Sequence, residues 1–517
     1  MTRTAGRGGS PPPRDPPAAV RGPWGETVLI GALRPGQGRD AVLAEVRAVL
    51  DAVVAPRAPV VLAVSGGPDS TALAFLVTEA RPDLVACVAH IRHGLRDDAA
   101  DAEVAAAHAA ALGLAYHQRS VQVRSTGRGV EAAAREARYA ALSRIAAAVQ
   151  ARALVVGHTA DDQAETVLLN IARGTGLRGL GGMAVSRPSE HDTEGAHGVR
   201  VVRPLLRLRR DDVHAFVTGE GLRAVMDPTN RDPRQRRARV RHDLLPAVAA
   251  LSGGTGDPVG ALTRLADLAR EDADTLDELA ADMARRSVVA WGPARAVPTA
   301  DLATLPRGLA TRVVRLLLRG VHTGVEGPAS SGSASASSVE AILALGPGAA
   351  LHAPGGVWVT CGGGWLAAVP PGLPALPARP LRVPGQVVLP ELGLAVRSDL
   401  VPWRDEPGLA RATNRDRTTP TPLAVGPPGT ARAPWAVVPA DAALVVRSRR
   451  SGDRIGSARL TDALSDAGVP RALRDLVPVV AGSGDLVVWV PGLDVPHPAA
   501  ASSRGREAVR LWLAAAR

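Results

Sequence analysis

The chain has 517 residues, of which 46% are hydrophobic, and its 61 basic and 50 acidic side chains give a formal net charge of +11. This length predicts two to four domains. The two cysteines, Cys87 and Cys361, lie far apart, which argues against a disulfide framework, a zinc site or a cysteine-held iron–sulfur cluster and favours a reducing cytoplasm. The sequence has no apolar run of the about 20 residues that a membrane-spanning helix requires.

The positive net charge has two interpretations. A charge of this size favours a polyanionic partner such as nucleic acid. Alternatively, it reflects a biased composition, because the chain contains no lysine and every side chain with a fixed positive charge is an arginine. Composition alone leaves both interpretations open.

The first part of the chain predicts a tail and then an α/β domain. Residues 1–40 are rich in Arg, Pro and Gly without an apolar core, so we expect a disordered tail rather than a secretory signal. Residues 41–54 have helical spacing, and from about 58 to 206 short β-branched runs alternate with longer helical patterns. This alternation predicts a parallel sheet with helices on both faces, whose ligands bind beyond the carboxyl ends of the strands. The predicted strands are residues 60–64, 84–91, 115–123, 153–157 and 199–206.

The second half predicts a mainly helical middle domain and a small α+β C-terminal domain. The patterns are an arginine-rich stretch at 207–246, mostly helix at 256–322, a helix and then a hairpin at 339–369, irregular Pro-rich sequence at 370–436, and short strands with a last helix at 506–516. The predicted boundaries are a tail at 1–40, a catalytic domain at 41–250, a middle domain at 251–370, an irregular linker region at 371–436 and a C-terminal domain at 437–517.

A glycine-rich segment follows the first predicted strand and precedes a helical pattern. It consists of Ser65, Gly66, Gly67, Pro68, Asp69 and Ser70. Glycines let the backbone approach a phosphate closely, proline suits a first helical turn, and the free amides of a helix N-terminus attract anions. The lysine of the GxxxxGK[ST] loop is missing. An ordinary Gly-Pro turn is the alternative, but the flanking strand, helix and serines favour a loop that binds the phosphates of ATP.

A polar cluster follows the predicted strand at 153–157. A helix that begins near Thr159 places Asp162 and Glu165 on one face, with His158 close to it. Two carboxylates and an imidazole at the end of a strand can bind Mg²⁺, bind a cationic amine or move protons. Helix capping is the alternative; it accounts for Asp161 and in part for Asp162, but not for the whole set. The opposite face is predicted to be buried and consists of Ala164, Val167, Leu168 and Ile171.

Longer motifs resemble one family. The string GHTADDQAETVLLNIARGTGLRGLGGM at 157–183 resembles the signature of the tRNA(Ile)-lysidine synthetase family, and the loop at 65–70 resembles that of the N-type ATP pyrophosphatase, or PP-loop, superfamily. Further elements that resemble the catalytic domain of this family, in its order, are residues 90–96, 134–142, 203–206, 227–230 and 239–246. Residues 450–455, 469–474 and 490–492 resemble its C-terminal tRNA-binding domain.

The resemblance implies a ligase that forms a carbon–nitrogen bond. In this family ATP adenylates the wobble cytidine of an isoleucine tRNA with a CAU anticodon, and the side-chain amine of free L-lysine displaces AMP. The lysidine formed changes the codon read from AUG to AUA. The implied cofactors are ATP and Mg²⁺, a middle domain at 251–370 would bind tRNA or substrate, and a homodimer is compatible with the resemblance.

The same resemblance implies roles for individual residues. Asp69 and Asp162 are candidates for holding Mg²⁺ or for base activation, and His158 and Glu165 for orienting or activating the incoming amine, which must be neutral to attack. The loop at 65–70 would hold the departing pyrophosphate, whose negative charge calls for preorganised donors.

Arginines carry the remaining predicted contacts. Arg135 and Arg138 lie three apart on one helix and could clamp phosphate or the base, although a salt bridge with Glu131 or Glu136 is the alternative. Phosphate contacts predict an affinity that falls steeply with salt, against the alternative of a solvated basic face. The arginines expected to meet tRNA are Arg207, Arg209, Arg210, Arg234, Arg236, Arg237, Arg239 and Arg241, with Arg454, Arg471 and Arg474 in the C-terminal segment.

Three other functions fit the sequence less well. A thiolating enzyme of the same superfamily would need paired cysteines, which Cys87 and Cys361 do not supply. An amide-forming ligase such as NAD or GMP synthetase would lack both the string at 157–183 and the C-terminal module. The intact loop and acidic residues argue against a non-catalytic RNA-binding protein.

Overall fold

The structure is a computed structural model that describes most of the chain. The described residues are 36, 38–94, 98–123, 130–189, 198–226, 234–251, 256–321, 334–373, 375–402, 435–439, 443–493 and 507–516. The motif at 227–230 and nearly all of the predicted tail lie outside them. The chain divides into two compact units, Met1–Ala273 and Asp274–Arg517. Within the described ranges, none of the helices has the length and apolarity to cross a bilayer.

The first unit contains the predicted α/β domain. Its strands are β1 (Val60–Ala63), β2 (Val85–Arg92), β3 (Ala115–Ser120), β4 (Ala153–Val156), β5 (Ser186–Pro188) and β6 (Arg200–Val202). Its helices are α1 (Arg39–Val53), α2 (Pro68–Ala80), α3 (Ala99–Ala111), α4 (Val130–Ala148), α5 (Ala160–Ile171), α6 (Leu177–Leu180), α7 (Arg210–Gly219), α8 (Arg236–Arg239) and α9 (Leu245–Leu251), with a π-helical turn at Val240–Leu244 before α9.

The strands form one sheet in the order β3-β2-β1-β4-β6-β5. All neighbouring strands are parallel except β5, which is antiparallel to β6. Side chains alternate between the two faces of β1: Val60 and Leu62 pack in a core with residues of α1 and α2, whereas Val61 packs with Leu142 of α4 and Leu154 of β4. Helices therefore cover both faces, which confirms the predicted fold class and brings the carboxyl ends of β1 and β4 to the same edge.

The apolar face of α5 differs from the prediction at one residue. Ala164 and Val167 are fully buried and Leu168 packs against the same core, as expected. Ile171 is 46% exposed, because it is the last residue of the helix and extends past the core.

The long helix α10 (Pro258–Ser287) contains the division between the units, and the remaining elements belong to the second unit. The helices are α11 (Thr299–Thr304), α12 (Arg307–Arg319), α13 (Ala336–Leu343) and α14 (Leu460–Asp466). The strands are β7 (Val289–Trp291), β8 (Ala294–Pro298), β9 (Ala350–His352), β10 (Trp358–Gly362), β11 (Trp365–Val369), β12 (Arg379–Leu381), β13 (Gly385–Leu389), β14 (Leu394–Pro402), β15 (Trp435–Pro439), β16 (Leu444–Arg447), β17 (Arg454–Ile455), β18 (Ala458–Arg459), β19 (Val479–Ala481), β20 (Val487–Trp489) and β21 (Glu507–Ala515).

Two predictions for this unit are wrong. The last helix predicted at 506–516 is strand β21, which pairs with both β14 and β15. Its Val509, Leu511 and Leu513 are buried at every second position, so pairing between two strands overrides the helical preference of its alanines and leucines. Strands β12, β13 and β14 occupy part of the region predicted to be irregular. The helix and hairpin expected at 339–369 are confirmed as α13 and β10–β11.

Candidate active site

The glycine-rich loop connects β1 to α2 as predicted. Gly67 is the N-cap of α2 and Pro68 its first residue. Gly66 has a φ of +88°, and a Cβ there would lie 2.8 Å from the carbonyl oxygen of Asp101, so glycine is required at this turn. The Ser70 hydroxyl donates to the Gly67 carbonyl at 2.9 Å and accepts from the Ser65 amide at 3.0 Å. These bonds hold the loop in shape, while the first amides of α2 have no acceptor within the helix.

The two motifs meet through a glycine at the end of β4. A Cβ on Gly157 would lie 2.9 Å from the carbonyl oxygen of Asp69 and 3.3 Å from the Cα of Ser70. Only glycine allows this approach of the signature string to the phosphate loop. The loop and the polar residues that follow β4 therefore form one site.

Asp162 interacts with Thr159 and with the guanidinium of Arg210. Its Oδ2 accepts hydrogen bonds from the amide (2.9 Å) and the hydroxyl (3.2 Å) of Thr159, which closes a capping box at the start of α5. Its Oδ1 accepts from Nη2 of Arg210 at 2.8 Å. The capping alternative is thus correct for Asp162, but one carboxylate oxygen still faces a cation.

Asp69 is held from α7. Its Oδ1 lies 3.1 Å from Nε2 of His214, and its Oδ2 lies 3.7 Å from Nε of Arg210. The Asp69 side chain is 27% exposed, whereas that of Arg210 is 14% exposed. Arg210 therefore lies between the acidic residues of the two motifs.

Glu165 is fully buried and paired with two arginines. Its Oε1 lies 2.8 Å from Arg241 and 3.5 Å from Arg210. Burial raises the pKa of Glu165, the nearby Asp162 raises it further, and the two arginines oppose this. Asp69, Asp162, Glu165, Arg210 and Arg241 are named the acidic cluster below.

The donors of the acidic cluster fit a metal that arrives with ATP. Mg²⁺ at nucleotide sites takes one or two carboxylates and completes its shell with phosphate oxygens and water. Asp69 and Asp162 supply that number of carboxylates, although Arg210 balances their charge in the structure. Among the described residues no three side chains of the His, Cys, Asp or Glu type are grouped to hold a metal unaided.

His158 lies in surroundings of the opposite charge. Burial lowers its pKa well below the usual range, and Arg203, Arg135, Arg138 and Arg237 lower it further. Its Nδ1 is buried and has no hydrogen-bond partner among the described residues. The imidazole is therefore neutral near pH 7 and has a nitrogen available to a substrate.

Tyr139 organises the arginines around this histidine. The guanidinium carbons of Arg135, Arg138 and Arg187 lie 5.0, 5.6 and 5.9 Å from the centre of its ring. Arg203 is 1% exposed and donates from Nη1 to the Ala184 carbonyl. The basic cluster is defined here as His158, Tyr139, Arg135, Arg138, Arg203 and Arg237.

The structure separates the predicted RNA-binding arginines into two groups. Four pair with acids in the first unit: Arg207 with Asp267, Arg209 with Asp257 and Asp161, and Arg210 and Arg241 with the acidic cluster. Ion pairs with carboxylates of the first unit thus engage all four guanidiniums, and their predicted contact with tRNA phosphates stays a prediction. In the same region Arg234, Arg236 and Arg239 are exposed, and Arg237 is half-buried near His158.

In the second unit, Arg454 and Arg471 are exposed, and Arg474 is half-buried with its Nε donating to the Val469 carbonyl. Burial lowers the pKa of Arg474, and the neighbouring Arg449 and Arg471 lower it further. Arg471 and Arg474 are therefore close enough for their charges to interact.

Sequence reasoning missed His214, Tyr139 and Arg203 as members of the site, and it assigned Arg210 to RNA. A signal was present for α7, because Arg210 and His214 are spaced four apart and face one direction on a helix. Nothing in the sequence connects that face to Asp69, which is 145 residues from His214 along the chain.

Comparison with known proteins agrees with this architecture. The PP-loop domain family matches residues 42–248, and the TilS substrate C-terminal domain family matches residues 444–512. The fold and loop thus define an ATP-using PP-loop enzyme.

Curated relatives narrow the class. A tRNA(Ile)-lysidine synthase of Symbiobacterium thermophilum is 34% identical, over 87% of this chain and 93% of the relative. One from Geobacter sulfurreducens is 32% identical over 91% of this chain and 97% of the relative. One from Mycolicibacterium paratuberculosis is 43% identical over 51% of this chain and 76% of the relative. The chain belongs to the tRNA(Ile)-lysidine synthase family.

Proposed function

We propose that this enzyme joins free L-lysine to the wobble cytidine of an isoleucine tRNA with a CAU anticodon. The cytosine oxygen on carbon 2 attacks the α-phosphorus of ATP, and pyrophosphate leaves. The lysine side-chain amine then attacks carbon 2, and AMP leaves with that oxygen, which gives lysidine. The close approach of Gly157 to Asp69, which joins the phosphate loop to the signature string in a chain of this family, carries the proposal.

In this proposal the loop at 65–70 binds the β and γ phosphates. The amides of the first turn of α2 and the positive end of its dipole stabilise the charge that builds up on pyrophosphate. The Ser65 and Ser70 hydroxyls keep the loop in the conformation that presents those amides. Mg²⁺, held by Asp69 and Asp162, would supply further positive charge at the phosphates.

The basic cluster is proposed to bind the RNA side of the reaction. Arg135 and Arg138 would contact the phosphate or base of the nucleotide to be modified, since no carboxylate pairs with either among the described residues. His158, kept neutral by its surroundings, would orient the lysine amine through its buried Nδ1, which has no hydrogen-bond partner among the described residues. Glu165 would act through Arg210 and Arg241, because its side chain is fully buried.

The second unit is proposed to bind tRNA through Arg454, Arg471 and Arg474. Modification of tRNA is consistent with a cytoplasmic location, and homodimerisation remains a prediction that light scattering would test. A thiolation activity is disfavoured, because Cys87 and Cys361 are both buried and burial raises the pKa of the Cys87 thiol to about 11.

The test is incubation with ATP, Mg²⁺, labelled lysine and the isoleucine tRNA. We expect label in that tRNA, released AMP and pyrophosphate, and no label in a methionine tRNA. D69N should reduce ATP–pyrophosphate exchange by about 10²–10³-fold. D51N removes an exposed carboxylate that pairs with Arg81 and should leave exchange unchanged. Absence of lysine incorporation by the wild type would contradict the proposal.

A further inference from the structure

The first turns of α7 connect the two motifs of the site. Arg210 contacts three carboxylates on two other helices: Asp162 at 2.8 Å and Glu165 at 3.5 Å on α5, and Asp69 at 3.7 Å on α2. His214, one turn later on the same face, reaches Asp69 as well. One partly buried guanidinium is thus shared by the phosphate loop and the signature string.

The charges show why this position matters. Glu165 has Arg241 as a second partner, so its charge is balanced without Arg210. Among the described residues, Asp162 has Arg210 as its one ionic partner. Without Arg210, Asp69 and Asp162 would be two anions in a partly buried site with no fixed cation between them, an arrangement that like-charge repulsion and desolvation oppose.

We infer that Arg210 is a positioning residue for the adenylation step. Its guanidinium holds the carboxylates of Asp69 and Asp162 in the arrangement that ATP and its metal require, and it balances their charge before these arrive. This role rests on the proposed function. It assigns α7 as a third element of the active site, beside the phosphate loop and the start of α5.

The structure offers a matched control on the same pair of helices. Arg39 bridges Glu79 near the end of α2 (2.7 Å) and Glu220, the C-cap residue of α7 (2.9 Å), and all three side chains are about 40% exposed. R39Q therefore removes an ion bridge between α2 and α7 at the end of the helices that is opposite to the site. It separates a general loss of helix–helix bridging from a loss at the acidic cluster.

The experiment compares R210Q, R210K and R39Q in the full-length enzyme. We expect R210Q to lower kcat of ATP–pyrophosphate exchange by about 100-fold with a smaller change in KM for ATP, because the lost interaction orients groups for the transition state. R210K, which keeps the charge but lacks the planar fork, should recover part of this loss. R39Q should match the wild type.

A second measurement does not depend on turnover. Mn²⁺ binding to the ATP-free protein, followed by electron paramagnetic resonance, should be about tenfold tighter in R210Q than in the wild type, because removing the guanidinium leaves two carboxylates for a divalent ion. Thermal melting of each variant reports its folding.

Wild-type exchange in R210Q would overturn the inference. The inference would also be overturned if R210Q lost exchange activity, kept the wild-type Mn²⁺ affinity and melted at a temperature low enough to account for the lost activity. That result would indicate a purely structural role for Arg210. If instead the wild type adds no lysine to tRNA while R210Q still gains Mn²⁺ affinity, the proposed function fails and the placement of Arg210 between the carboxylates stands.

Discussion

The acidic and basic clusters both include residues that directly follow β4, but their buried charges are balanced differently. In the acidic cluster each carboxylate has an arginine within 3.7 Å. In the basic cluster, none of Arg135, Arg138, Arg203 and Arg237 forms an ion pair with a carboxylate among the described residues. Uncompensated buried charge is costly, so the charges of the first cluster are balanced within the fold, whereas those of the second would be stabilised by an anion from outside. This difference supports the proposal that the basic cluster receives the polyanionic substrate.

The largest expected effect on substrate binding comes from removing a charge from the basic cluster. R138Q should weaken tRNA binding by about 10–100-fold, because a hydrogen bond to a charged group contributes about 1.5–3 kcal/mol. If the contact is to a phosphate, the slope of log affinity against log salt should fall by about one. Filter binding at several salt concentrations measures both quantities.

R144Q is the matched control for that variant, since Arg144 is an exposed arginine on the same helix α4. It should change tRNA affinity little. Equal losses in R138Q and R144Q would mean that the basic cluster has no special role and that α4 contributes only general positive charge.

An effect on stability is expected at Glu45 on α1, a carboxylate that, unlike those of the acidic cluster, has no arginine within ion-pair distance among the described residues. Its Oε1 is buried without a hydrogen-bond partner among the described residues, and burial raises its pKa to about 7 although Arg207 opposes this. The folded state therefore holds this proton more tightly than the unfolded chain, whose pKa is near 4.5. The contribution of Glu45 to stability is fully present below about pH 4.5 and is lost as the pH rises through about 7.

E45Q stays neutral at every pH, so it should be more stable than the wild type by up to about 3 kcal/mol at pH 8 and about equal to it near pH 4.5. Urea unfolding at both pH values measures this difference. E103Q, at an exposed position on α3, is the control. A benefit from E45Q that is the same at both pH values would show that the buried charge is not its source.

The smallest effect is expected at His158, where the prediction is that nothing titrates. Because its pKa is lowered well below the usual range, the imidazole gains a proton only under acidic conditions, and its ring signals should show no inflection between about pH 6 and 8. Nuclear magnetic resonance, with H158Q used to assign the signal, measures this. R138Q removes one neighbouring positive charge and should raise the pKa of His158. An inflection near the pH of a free histidine would contradict the basic cluster as described.

Local sequence patterns were sufficient to predict where much of the candidate active site lies. Gly67 and Pro68 begin α2 where the pattern of strand, glycine and proline placed them, and Asp162 and Glu165 point to one side of α5 as their spacing required. The prediction was wrong where partners are distant in the chain. At residues 506–516 the intrinsic preference is helical, but β14 and β15 provide pairing on both sides and make it a strand.

The sequence by itself determined the phosphate loop, the acidic residues that follow β4, the alternation that produces a parallel sheet, and the family. These depend on spacing within a few residues, where backbone geometry leaves few choices. Only the tertiary structure decided the use of the arginines. The sequence does not distinguish an arginine that binds RNA from one that pairs with a carboxylate. The role of each arginine depends on which charges the fold places within a few ångströms. For Arg210 those charges are Asp69 and Asp162, and for Arg138 the described fold supplies no carboxylate.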